Sequence, residues 1–182
     1  MGGAWERLVR SSKVVLTALM KNHVLTDPQL YTLLTEVEKI LNSRPLTHLS
    51  DDVSDLSPLT PNHILLGLHR NWDYACEVND HDVSSRKKYR QVQAIANRFW
   101  EQWRREYLPR LTKRTRWREN LPNIAVGELV VLVEDDQKRG KWPLARVTQV
   151  FTSADGVVRS LEIKTKNGLY TRPAAKICRL EE

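Results

Sequence analysis

The spacing of apolar residues changes period once along this chain, near residue 123, and that change constrains the fold more than any single motif. Before it, apolar side chains recur every three or four positions, the repeat of a helix with one buried face. Trp5, Leu8, Val9, Ser12, Leu16, Leu19 and Met20 predict a helix over 4–21 with that stripe turned inward. Glu6, Arg10, Lys13 and Thr17 fall on the opposite stripe. Asp27 suits an N-cap and Pro28 the first turn of a second helix, whose buried face is Leu30, Leu33, Leu34, Val37, Ile40 and Leu41; Pro45 stops it. Thr60-Pro61 repeats the signal for a short helix to about Leu66, closed by Gly67. Residues 68–84 have no period and read as a linker or irregular loop. From about Ser85 a long helix carries Tyr89, Val92, Ala96, Phe99, Trp103 and Tyr107 on one packed stripe and ends at Pro109. Trp100 and Trp117 fall off that stripe and read as freer.

After the change, short β-type runs alternate with turn residues. Glu128–Val133, Leu144–Phe151, Val157–Thr165, Leu169–Arg172 and Lys176–Leu180 read as five strands, with Asn167-Gly168 as a hairpin signal. Five short strands in so little chain predict a small, strongly bent barrel of SH3-like type. The fold class is therefore α+β, divided into a helical part at 1–67, a linker and basic helix at 68–122, and a barrel at 123–182.

Charge is distributed as unevenly as period. Residues 1–85 hold 7 basic and 11 acidic groups, residues 86–118 hold 12 and 2, and residues 119–182 hold 10 and 9, so nearly all of the chain's +7 sits in one central block. A block of one sign marks a place for a polyanion. Its cationic helical face carries Arg86, Lys87, Arg90, Arg98, Arg104 and Arg105, followed by Arg114 and Arg116 in a non-periodic stretch. The barrel adds Arg146, Arg159, Lys164, Lys166, Arg172 and Lys176. Without a base-reading motif, the expected mode is contact with the nucleic-acid backbone with little sequence preference. Trp142 and Tyr170 could line a groove, though no complete aromatic cage can be read.

Other classes are disfavoured. No apolar run approaches the roughly 18 residues of a membrane span, so no membrane partner is expected, nor is a secretory leader. Two distant cysteines, Cys76 and Cys178, make no disulfide framework and point to a reducing, intracellular setting. His63, His69, Cys76 and His81 lack the spacing of a tight zinc pair and read as loop residues. No phosphate-cradling glycine motif is present. By spacing alone, Glu6 is a carboxylate near a helix start that offsets the macrodipole and pairs with Arg10 at i+4.

The residues themselves resemble something more specific. Met1-Gly-Gly-Ala-Trp-Glu-Arg-Leu-Val-Arg-Ser-Ser-Lys13, Glu36-Val-Glu-Lys-Ile-Leu-Asn-Ser-Arg-Pro-Leu46 and Leu59-Thr-Pro-Asn-His-Ile-Leu-Leu-Gly67 are similar to the integrase region of BEL/Pao (Pao-type) long-terminal-repeat retrotransposon polyproteins. Phe99-Trp-Glu-Gln-Trp-Arg-Arg-Glu-Tyr-Leu-Pro109, Gly127-Glu-Leu-Val-Val131, Arg139-Gly-Lys-Trp-Pro-Leu-Ala-Arg-Val147 and Lys176-Ile-Cys-Arg-Leu180 resemble the domain, often catalogued as of unknown function, that follows that core.

The resemblance implies that residues 1–67 are the incomplete helical end of an RNase H-like catalytic core. Such a core binds two divalent metals, Mg²⁺ or Mn²⁺, through two aspartates and one glutamate for strand transfer in DNA integration. It places Glu6 at the glutamate's position and Arg10 and Lys13 where related integrases meet the DNA end. The two aspartates lie upstream of the Gly-Gly in the family, and Asp27, Asp51, Asp52 and Asp55 all follow Glu6. Glu6 is then a vestigial ligand, no cofactor is expected, and the chain is not expected to be an enzyme. Met1 reads as an internal methionine of a decayed or misdivided polyprotein. With the core's sheet absent, Trp5, Leu8 and Leu19 are expected to lack their original packing partners. Two functions follow: a non-catalytic DNA-binding fragment of a retrotransposon integrase, acting in the nucleus with other integrase subunits as possible partners, or an SH3-like protein-interaction and oligomerisation module without DNA binding.

Overall fold

The computed structural model describes residues 3–21, 23–48, 55–67, 88–111, 123–134 and 137–180. They form four helices and seven strands: α1 (Gly3–Met20), α2 (Asp27–Asn42), β1 (Thr47–His48), β2 (Pro58–Leu59), α3 (Pro61–Leu66), α4 (Lys88–Leu111), β3 (Leu129–Leu132), β4 (Leu144–Thr152), β5 (Val158–Thr165), β6 (Gly168–Pro173) and β7 (Ile177–Arg179). The fold is mixed helix and sheet, as the change of period predicts.

Helix α4 is the axis of the helical part. Its Val92, Ala94, Ile95, Ala96, Phe99, Trp100, Trp103 and Tyr107 form one buried cluster with Val15 of α1 and Leu33, Val37 and Ile40 of α2. Leu8 and Leu19 pack, partly buried, against the same cluster. Trp5, 62% exposed, and Val9 do lie outside. The inward stripe of α1 is therefore rotated from the expected one: it keeps Ser12 and adds Ser11 and Val15, and both serine hydroxyls can be buried because they donate to the Leu8 carbonyl (3.1 Å from Ser11, 2.8 Å from Ser12). Helix α2 begins one residue away from expectation. Thr26 is its N-cap, with its N–H and hydroxyl donating to Gln29 Oε1 (3.0 and 2.9 Å), and Asp27 sits in the first turn. Thr60, Pro61 and Gly67 (φ 61°) bound α3 as predicted.

Two aromatics on α4 exchange the expected roles. Trp100 is 1% exposed, and Tyr89 is 60% exposed. A loop from the sheet covers the side of α4 that periodicity left open: the Trp100 indole N–H donates to the Gln137 carbonyl (3.1 Å), and Trp142 meets its ring edge-to-face at 4.9 Å. Trp142 also stands edge-on to Trp103 and Tyr107. Pro109 lies inside the last turn, and the helix runs on to Leu111.

The five predicted strands of the C-terminal part are present as one antiparallel sheet in the order β6-β5-β4-β3-β7. The first four follow as a meander, and the chain returns through a 3₁₀ turn, Ala174–Lys176, to pair β7 with β3. Val130, Leu132, Ala145, Val147, Val158, Leu161, Ile163 and Ile177 make its core. Among the described residues the edge strands β6 and β7 share no ladder, so the sheet is open where a closed barrel is expected. The β5–β6 hairpin turns through Lys166 and Asn167, one residue earlier than the Asn-Gly dipeptide suggests. Within this hairpin Gly168, at φ 126°, takes the conformation that favours glycine. Leu108 of α4, Val131 and Cys178 form a third cluster that seats the sheet on the end of α4.

Candidate nucleic-acid interface

The structure separates the cations of the sequence into three groups. Arg86, Lys87, Arg114 and Arg116 lie outside the described residues. A second group is buried. Arg104 is 7% exposed, with its guanidinium 5.7 Å from the centre of the Trp100 ring. Arg146 is 8% exposed and donates to the carbonyls of Gly127 (3.0 Å) and Asp55 (3.1 Å). Both were expected at a nucleic-acid surface. That expectation is corrected for a physical reason: the long stems of these arginines are enclosed and their charged ends already serve the fold. A third group reaches solvent, namely Arg10 and Lys13 on α1, Arg90, Arg98 and Arg105 on α4, and Lys164 and Arg172 on the sheet. The cationic face of α4 is thus much narrower than its charge count, because most of its circumference is packed.

Arg139, not singled out by sequence, is the most embedded cation of the sheet's loops. It donates to the Gln93 carbonyl (3.2 Å) and to the Gln93 side-chain oxygen, and it lies 3.5 Å from Glu36 Oε2. The clue was Gln93, a polar residue among apolar neighbours on α4. Arg159 is engaged differently, in an exposed pair with Asp155 at 2.5 Å. The guanidinium, helped by the Val157 N–H, holds the Asp155 carboxyl below its ordinary range, and the carboxylate raises Arg159 in turn.

Two places gather chemistry-bearing side chains. The first is one face of α1, where Glu6, Arg10 and Lys13 share a shallow groove of about 330 Å³ with Trp5, Val9 and Val14. The spacing expected these three polar residues together, and all are exposed. No group of three metal-ligating side chains is assembled among the described residues. His63 accepts the Thr60 N–H on Nδ1 (3.0 Å) and serves as part of the α3 cap; His69, Cys76 and His81 lie outside the described residues.

The second place is larger and was not foreseen as a unit. A cleft of about 660 Å³ opens between α2, α3 and the sheet. Lys39, Lys141, Lys166 and Arg172 line it against one carboxylate, Glu134, among the described residues. Tyr170 and Trp142 line it too, so the sequence's pair of groove aromatics does share one. Tyr170 and Arg172 are two apart on edge strand β6 and so share a face, with the guanidinium 5.5 Å from the ring centre. The Tyr170 hydroxyl donates to the Asn167 carbonyl (3.3 Å). Lys164, paired with Leu169, projects on the other face and does not join them.

No helix among the described residues is long and apolar enough to cross a membrane. No curated protein matches the chain. Residues 87–180, from the start of α4 through β7, match the family described as "Family of unknown function (DUF5641)". That match takes in more than half of the chain, including α4, the aromatic cluster and the whole sheet, and the chain therefore belongs to this family of unknown function.

Proposed function

We propose that this chain is the non-catalytic, nucleic-acid-binding part of a retrotransposon integrase of BEL/Pao type, holding DNA through its backbone in the nucleus. The observation that carries the reading is the cleft, where four cations meet one described carboxylate beside an exposed tyrosine. The resemblance of the Gly2-Gly3-Ala-Trp-Glu6 and Leu59–Gly67 segments to integrase cores supplies the integration context. A four-strand meander whose fifth strand returns through a 3₁₀ turn to the first supports an SH3-like reading of the sheet, as an open form. The resemblance places one carboxylate of the family's metal-binding set in these residues, Glu6, so the reading is of binding without cutting or joining.

A salt series on duplex DNA tests this. If about five phosphates are engaged, affinity falls on the order of a hundredfold or more between 50 and 200 mM salt. Strand transfer is expected to be absent in Mg²⁺ or Mn²⁺; turnover lost in Glu6→Gln would contradict that. A second reading, a protein-interaction module that joins integrase subunits, is favoured by the exposed Trp5, Val9 and Val14 on α1. It predicts no DNA binding at low salt.

A further inference from the structure

We infer that the cleft between α2, α3 and the sheet is a single-strand site, taking one nucleic-acid strand with a base stacked at Tyr170 and adjoining phosphates at Lys166 and Arg172. This rests on the nucleic-acid reading above and specifies which form of nucleic acid enters. Shape argues for it first. At about 660 Å³ the cleft has the size of concave sites that enclose a small ligand. A duplex presents its phosphates on a convex surface and can only lie across the cations at the mouth of the cleft, whereas a nucleotide of an unpaired strand can enter it.

The side chains argue for it second. Proteins that hold single strands combine cations along the backbone with aromatic rings that accept any base. Tyr170 is 40% exposed and its hydroxyl is turned to the Asn167 carbonyl, which leaves the ring as its available surface. The Arg172 guanidinium stands over one face of that ring, so a base stacks on the other face or on the guanidinium plane itself, while the N–H edges remain suited to a phosphate. Lys166 sits in the hairpin loop just before them. Ser57, Asn62 and Asn167 on the lining offer neutral hydrogen-bonding groups to sugar and base edges.

The test compares a fluorescent oligothymidylate with a duplex of equal length on the full chain at low salt. Tyr170→Ala is expected to weaken oligothymidylate binding about tenfold or more, leave duplex binding within about twofold, and be rescued by Tyr170→Phe. Arg172→Ala is expected to lower the salt slope for the single strand by about 0.7, the loss of one phosphate contact. Both residues lie on an exposed edge strand, so unchanged circular dichroism serves as the folding control. Duplex binding with no effect of Tyr170→Ala on the single strand, or an equal effect on both, overturns the single-strand site and leaves the nucleic-acid reading intact. Binding of neither form overturns both.

Discussion

Arg139 shows what a single residue does here that no charge count reveals. It leaves the loop before β4, enters the space between α2 and α4, and meets Gln93 and Glu36. Breaking such a pair strands the remaining charge and amide away from water, so Arg139→Ala should cost roughly 3 kcal/mol, the low end for a buried pair because Glu36 keeps some exposure. Urea unfolding measures this as a lower midpoint. The double change Arg139→Met with Glu36→Leu should recover part of the loss, because no charge is then left unpaired. Arginine was legible as charge but not as location. Arg104 and Arg146 have the same sequence character as Arg98 and Arg105, yet they are buried against Trp100 and against two backbone carbonyls, one of them 91 positions away. Local spacing carries no information about a partner that distant.

At the scale of elements, periodicity located the four helices and the five strands of the C-terminal sheet within about three residues, missed the short β1–β2 pair, and misjudged what surrounds them. A single apolar stripe predicts a helix with one buried side, and α4 is wrapped on more sides because α1, α2 and the 137–142 loop all pack on it. Trp100 looked free for that reason. The aromatic column of Phe99, Trp103 and Tyr107, with centroids 6.4 and 4.7 Å apart, is the centre of that packing. Trp103→Ala is expected to cost about 3–5 kcal/mol, enough to lose most of the protein's cooperativity in thermal unfolding followed by circular dichroism. Tyr89→Ala, exposed in the first turn, should change the midpoint little. In the sheet, alternation and glycines marked all five strands. Closure was not legible, because pairing of edge strands depends on twist and register that neither strand encodes alone.

At the scale of the whole molecule, the net positive block proved divided. Part of it is buried, part lies in residues 112–122 outside the described structure, and the cleft draws its cations from elsewhere, from α2, the 137–143 loop and the β5–β6 hairpin. Segments this far apart in sequence meet only because α4 ties helices and sheet together, so the cleft could not be read from any one of them. The measurement that tests the account most directly is hydrogen–deuterium exchange of the chain with and without a bound oligonucleotide. Slowed exchange concentrated in segments 137–144 and 164–172 is the expected result. A complex that forms with both segments unchanged, or with protection confined to the α1 face around Glu6, Arg10 and Lys13, would contradict it.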